Sequence, residues 1–299
     1  MTREELNKNI QKDIDNEENK EKRKKIFFIT LKIISIFIII FILFFLYNKF
    51  ISTELIKVNE DRIISSKIPD NFNGLKVIQF SDILYNENTD PNKIDKVIKL
   101  INEREPDIVV YTGNLINSNY KLSSKEQEML IKKLSKINST LGNYYINGDM
   151  DKESYNTIMN QSNFNLLSNS NDLVYDNNNN SIMIVGLDSY NNKKQDIEKA
   201  FKGYSTKIYT IVLMSETDPI DKVIEKNPDI ILAGSNLNGI VRLPVFGGIF
   251  KKEGSSKYIN PYYKIKDTDV YVSSGIGVYR TGFRFFNRPS INFFRLSNR

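Results

Sequence analysis

The chain has 299 residues, a formal net charge of +6 at pH 7, and no cysteine, histidine or tryptophan. Without cysteine there are no disulfides, thiolate metal sites or cysteine nucleophiles, and without histidine there is no Ser-His-Asp triad and no imidazole ligand. The length suits one substantial domain plus an appendage, and the charge forms no basic stripe interleaved with aromatics, so no nucleic acid is expected as a partner.

Residues 1–25 are polar, mixed in charge and almost free of apolar side chains, and read as a disordered tail. Ile26 to Tyr47 is apolar apart from Lys32 and the milder Thr30 and Ser35. As a helix this run spans about 33 Å at about 1.5 Å per residue, enough to cross a bilayer, and Lys32 lies near the end where its stem can snorkel. No small-residue cleavage pattern follows Phe45-Leu46-Tyr47, which favours a transmembrane helix acting as a signal anchor over a cleaved signal peptide. Lys22, Arg23, Lys24 and Lys25 precede the run and only Lys49 directly follows it. The positive-inside rule therefore predicts a cytoplasmic N-terminus and an extracytoplasmic C-terminal domain.

Residues 48–73 read as a juxtamembrane connector, in which Val58 to Ile68 alternates loosely enough to add an edge strand. From residue 74 to 299, short apolar runs alternate with amphipathic ones. Leu75–Phe80 is a strand, and Ile94, Val97, Ile98 and Ile101 have helical spacing after Asp90-Pro91, a cap and first-turn proline. Asp107–Thr112 is the next strand, and Lys125–Ile137 a helix with Ser123 or Ser124 as cap. A strand at Tyr144–Ile146 and a helix after Asp151 follow. Asn169–Ser181 reads as a turn or hairpin region. Further strands are predicted at Ile182–Leu187, Ile208–Met214, Asp229–Ala233, Val270–Ser273 and Ile291–Leu296, with helices over Lys194–Phe201 and Pro219–Glu225. No internal repeat is present. The alternation predicts an α/β fold.

Five strand ends carry polar groups: Ser81-Asp82-Ile83-Leu84, Thr112-Gly113-Asn114, Gly148-Asp149-Met150-Asp151, Met214-Ser215-Glu216 and Ala233-Gly234-Ser235-Asn236-Leu237-Asn238-Gly239. Loops at strand C-termini collect functional groups in such folds. In this order they resemble the metal loops of the calcineurin-like metallophosphoesterase superfamily, which read Asp-x-His, Gly-Asp, Gly-Asn-His-Asp/Glu, a lone His and Gly-His-x-His. The run Gly239-Ile240-Val241-Arg242-Leu243-Pro244 resembles the Gly-Gln-Ile-Arg-Leu-Pro of the membrane-associated subgroup. Val272–Gly277 and Phe283–Pro289 resemble its C-terminal signature. The resemblance covers residues 74–297. It implies a layered sandwich of two mainly mixed β-sheets flanked by helices, preceded here by one transmembrane helix.

The resemblance also implies that most ligands have been replaced. Asp82 keeps the first carboxylate, but Leu84 stands for the first His and Asn114 for the metal-bridging Asp. Asp149 stands for the ligand Asn, and Met150 for the His that assists the leaving group. Glu216, Ser235 and Leu237 stand for the remaining histidines. Leu84, Met150 and Leu237 offer no ligand to a hard cation, and no imidazole is left as general acid. The expected function is therefore a membrane-anchored pseudoenzyme without a dinuclear site or cofactor. It binds an envelope protein or a lipid headgroup, or supports an active relative. The alternative is a retuned phosphoesterase with one Mg, Mn or Ca ion held by Asp82, Asn114, Asp149 and Glu216. The plainer reading of those carboxylates, bonded to backbone N–H groups or paired with a lysine or arginine, is preferred. Arg242 and Arg288 are candidate anion-binding residues or surface ion-pair members. Asp151 and Asp188 are read as turn or capping residues. Tyr279, Phe283, Phe285 and Phe286 are expected in the core rather than at the bilayer.

Overall fold

In the computed structural model, residues 2–176, 178–279 and 282–299 are described, except the side chains of Glu5 and Glu153. The chain divides after Asn48 into a helical unit and a second unit, Lys49–Arg299.

The first unit is one helix, α1 (Arg3–Leu46). It is the helix among the described residues that is long and apolar enough to cross a membrane. Ser35 Oγ donates back to the Leu31 carbonyl at 2.8 Å, so this polar side chain carries its own partner through the apolar stretch. Residues 3–25, whose composition suggests disorder, continue the same helix. Glu17–Lys20 at 3.0 Å and Glu21–Lys24 at 3.1 Å are one-turn pairs that each add a few tenths of a kcal/mol. Extending a helix that the apolar run has already started is also far easier than starting one.

The second unit contains β1 (Lys57–Ile64), β2 (Lys76–Phe80), α2 (Pro91–Asn102), β3 (Ile108–Tyr111), α3 (Ser124–Leu134), β4 (Gly142–Tyr145), α4 (Glu153–Gln161) and β5 (Asn165–Leu166). It continues through β6 (Ser170–Tyr175), β7 (Ser181–Gly186), α5 (Ile197–Ala200), β8 (Tyr209–Met214), α6 (Ile220–Ile224) and β9 (Ile230–Ala233). A small hairpin, β10 (Arg242–Leu243) with β11 (Gly247–Gly248), precedes β12 (Tyr262–Ile265), β13 (Thr268–Val272) and β14 (Ser290–Ser297). Among the described residues two six-stranded sheets result, ordered β1-β14-β2-β3-β4-β5 and β12-β13-β9-β8-β7-β6. Both are mixed: β14 runs antiparallel to β2 in the first, and β6 and β12 are antiparallel edges of the second.

Period-two alternation assigns the layers. Ile108 and Val110 of β3 face Ile211 and Leu213 of β8 in the core between the sheets. Val109 and Tyr111 point outward beneath α2, α3 and α4, while Val212 and Met214 face the α5–α6 side. The helices begin where capping chemistry starts them. Asp90 accepts from the Asn92 amide ahead of Pro91, and Ser123 forms a capping box with Glu126. Asp196 caps α5, so the helix starts at Ile197 rather than Lys194, and it ends at Ala200 before the Phe201 C-cap. The expected edge strand is β1, lying against β14. Pairs β10–β11 and β12–β13 are strands that the sequence pattern did not indicate in full.

The segment entering this unit is held by a buried charge. Lys93 of α2 donates to the Thr53 carbonyl at 2.6 Å and lies 3.6 Å from Glu54. Burial pulls its ammonium down to about 8, against the attraction of Glu54. The lysine therefore binds its proton less tightly in the folded state, and its contribution to stability improves as pH rises from 8 toward the unfolded value of 10.5. Urea titrations of the wild type and Lys93→Met should diverge in the wild type's favour by about 2 kcal/mol between pH 8 and 10. A flat difference would refute the buried charge.

Candidate functional site

The five loops gather at one end of the two sheets. Strands β2, β3 and β4 run parallel to one another, as do β7, β8 and β9, so the loops that leave their C-termini share an edge. Close backbone contact packs them. Gly113 sits at φ +81, and a Cβ there would meet Gly148 N and Cα at 2.9 Å. A Cβ on Gly148 would meet Asn114 Oδ1 at 2.4 Å. Only glycine at both positions lets Asn114 enter the interior.

Asn114 is fully buried and uses both ends of its amide. Nδ2 donates to Asp82 Oδ1 at 3.1 Å, and Oδ1 accepts from the Met150 amide at 2.9 Å. Asp82 Oδ2 accepts from Ser81 Oγ at 2.6 Å and from the Ser235 amide at 2.9 Å. Burial raises the Asp82 carboxyl, opposed by these hydrogen bonds and by the charge of Lys252.

Lys252 is a central residue that sequence reasoning missed. Its Nζ donates to Asp149 Oδ1 at 2.7 Å and to Ser235 Oγ at 2.6 Å, with both members of the ion pair mostly buried. Asp149 Oδ2 accepts from Asn191 Nδ2 at 3.2 Å. Glu216 turns to the same loop: Oε1 accepts from Ser189 Oγ at 2.6 Å, and Oε2 from the Tyr190 amide at 3.3 Å. Burial raises its carboxyl as well, with Asp149 adding repulsion. Asp82, Asn114, Asp149, Glu216 and Ser235 thus belong to one polar network, joined through Lys252 and Asn191. Lys252 lies in the run Lys251-Lys252-Glu253-Gly254, which has no periodicity or motif, so only the tertiary fold singles it out.

Leu84, Met150 and Leu237 also converge. They pack on one another as a separate buried apolar cluster, with Ile240 and Tyr279 against them. Leu84 and Leu237 both adopt left-handed backbone, φ 51 and φ 49, as does Asp82 at φ 51. Such conformations cost on the order of 1 kcal/mol or more for a residue with a side chain. A cleft of about 480 Å³ opens beside the cluster, lined by Leu237, Ile240, Phe250 and Tyr279 on its apolar side and by Asp149 and Lys252 on its polar side.

The remaining candidates lie elsewhere. The Arg242 guanidinium donates to the Asn238 and Ile259 carbonyls and to Asn260 Oδ1, and Arg288 Nε donates to the Leu55 carbonyl at 2.9 Å. Asp151 accepts from the Leu115 and Gly148 amides, both at 2.9 Å, and clamps two loops together; burial pushes it up to about 7. Asp188 accepts from Ser168 and from the Ser189 amide. The aromatic tail departs from expectation. Tyr279, Phe283 and Phe285 are half-buried and Phe286 is exposed, whereas Arg284 between them is fully buried. Its guanidinium takes the interior position because the carbonyls of Ser274, Gly275 and Gly277 all accept from it. Among the described residues, no group of three or more Asp or Glu side chains gathers closely enough to hold a metal ion.

No protein-family model matches the chain. It is 28% identical over 257 residues to the uncharacterized metallophosphoesterase YkuE of Bacillus subtilis (strain 168), covering 84% of this chain and 89% of that protein. It is 26% identical over 254 residues to a transmembrane protein with metallophosphoesterase domain from Danio rerio, covering 79% of this chain but 56% of that protein. Among solved structures, the calcineurin-like phosphoesterase YfkN of Bacillus subtilis aligns with a TM-score of 0.40 at 13% identity, over 68% of this chain and 82% of that one.

Removing the ammonium should leave Asp149 buried with one amide donor. Lys252→Met is expected to lower stability by about 1–3 kcal/mol, and adding Asp149→Asn should restore most of the loss. Equal and additive losses in a double-mutant cycle would show that the two side chains do not act as a pair.

Proposed function

The chain belongs to the metallophosphoesterase superfamily, and we propose that it is a membrane-anchored pseudoenzyme that acts by binding rather than by hydrolysis. The observation that carries this reading is the pairing of Lys252 with Asp149 and Ser235 beside the plug of Leu84, Met150 and Leu237.

Two-metal phosphoester hydrolysis polarises the phosphate, generates a hydroxide nucleophile and stabilises the leaving oxygen. The donor set does not fit a pair of cations. Three of the positions that the resemblance assigns to metal or leaving-group chemistry carry apolar side chains packed together. Asn114 is neutral, and its oxygen and nitrogen are both committed to protein partners. The Asp82 and Asp149 oxygens are likewise occupied by hydrogen bonds from within the fold. An ammonium balances Asp149 electrostatically but has no open coordination position with which to acidify water. These features favour a scaffold whose loops are stabilised without metal. The apolar cleft beside Lys252 is then the natural place for a partner protein or an envelope ligand. On this reading the N-terminus is cytoplasmic and the second unit extracytoplasmic, as the basic run Lys22–Lys25 favours.

The full-length protein, purified in detergent, should carry no stoichiometric divalent metal. It should also cleave no bis-(p-nitrophenyl) phosphate in Mg²⁺, Mn²⁺ or Ca²⁺ beyond what Asp82→Ala retains. Stoichiometric metal together with turnover that Asp82→Ala abolishes would overturn the reading in favour of a single-cation hydrolase. The orientation is separately testable because the chain has no cysteine. In intact cells, a membrane-impermeant maleimide should label Asn178→Cys but reach Lys12→Cys only after permeabilisation, and the reverse pattern would invert the topology.

A further inference from the structure

The two most exposed large apolar side chains of the second unit, Val245 and Phe246, sit together on the β10–β11 hairpin. Leu243 pairs with Gly247, leaving Pro244-Val245-Phe246 as the tip. Val245 is fully exposed and Phe246 is 83% exposed. Ile249 and Phe250 continue the apolar surface along the returning chain, and Phe286 is exposed on the adjoining segment. An isolated exposed leucine is ordinary, but a contiguous apolar group at a loop tip marks a contact surface.

Strand register shows where this surface lies relative to the entry of the chain. Lys57 of β1 is opposite Ser290 of β14 in parallel pairing, while Asn292 of β14 is opposite Gln79 near the end of β2 in antiparallel pairing. Residues 49–56 therefore enter at the same end of the sheets as the functional loops. The segment 283–289 joins the two features. Pro289 O accepts from the Lys57 amide and Arg288 Nε donates to Leu55 O, while Phe285 exchanges backbone hydrogen bonds with Ile240 and Arg242. Phe50 and Ile51, at the entry, are themselves exposed. Lys49, Lys251 and Arg288 are exposed basic residues on this end, alongside the exposed acidic residues Glu87, Asp90 and Glu253.

We propose that this end of the second unit rests on the bilayer, with the Pro244-Val245-Phe246 tip seated at the boundary between headgroups and acyl chains. The occupant is the lipid surface because the candidate span is covalently continuous with residue 49, at the end that carries the tip. The flanking lysines and arginine also suit anionic headgroups. The hairpin has only a short ladder, so its remaining backbone groups need water or headgroups as partners, which limits insertion to the interface. The 480 Å³ cleft, bordered by Phe250, then lies at the membrane-facing end. The inference depends on the span and the fold, and holds whether or not the site hydrolyses anything.

The absence of cysteine makes the test direct. Full-length Phe246→Cys carrying an environment-sensitive fluorophore is reconstituted in vesicles of phosphatidylethanolamine and phosphatidylglycerol, with Asn178→Cys as reference. Asn178 lies in the β6–β7 turn, at the opposite end of the sheets. The label at 246 should emit at shorter wavelength than the label at 178, and shallow nitroxide-lipid quenchers should reduce it at least about twofold more. A water-exposed label at 246 overturns the proposal. So does a shielded label that lipid quenchers leave untouched, which would assign the tip to a protein contact or a second copy. A second pair of variants, Val245→Cys and Ile249→Cys, should show the same quenching, weaker at 249; no lipid quenching at either also overturns it.

Discussion

One ammonium group holds the polar end of this fold together. Lys252 reaches in from a loop after β11 and joins Asp149, at the end of β4, to Ser235, at the end of β9. The two residues it joins follow strands of different sheets. A carboxylate in that position needs a positive partner, since an unpaired buried charge costs several kcal/mol. A divalent ion is one solution, and a lysine already attached to the chain is another. Here the chain supplies that positive partner itself, through Lys252.

Much of the architecture was readable in the sequence because it depends on local pattern. Runs such as Ile108–Tyr111 and Tyr209–Met214 are apolar on both faces, as strands covered by helices on one side and another sheet on the other must be. Asp90-Pro91 and Ser123 place helix starts by direct hydrogen bonding. The polar loops were legible through their order along the chain. Lys252 was not, because its importance arises from meeting residues about 17 and 103 positions away, which no local spacing encodes. Arg284 was hidden for a related reason. Three phenylalanines surround it in sequence, which suggests apolar burial, but a cluster of inward-facing carbonyls in Ser274–Gly277 accepts the guanidinium instead. Residues 3–25 illustrate the opposite error: composition understated what an adjoining helix can extend.

The polar loops are built on sparsely populated backbone conformations. Asp82, Leu84, Ser235 and Leu237 all occupy the left-handed region, at φ between 49 and 71. For a leucine this is unfavourable, and it persists because surrounding contacts over-determine it. The Leu84–Met150–Leu237 contact supplies part of that compensation by removing three apolar side chains from water. Packing thus helps to hold loops that would otherwise relax.

The position of β14 has a kinetic consequence. It lies between β1 and β2, so the earliest strand of the second unit has no neighbour in its sheet until β14 is made. Parallel pairing across more than two hundred intervening residues is slow to form, since the chain must close a long loop first. Until β14 emerges, β1 stays an unpaired edge open to wrong pairing.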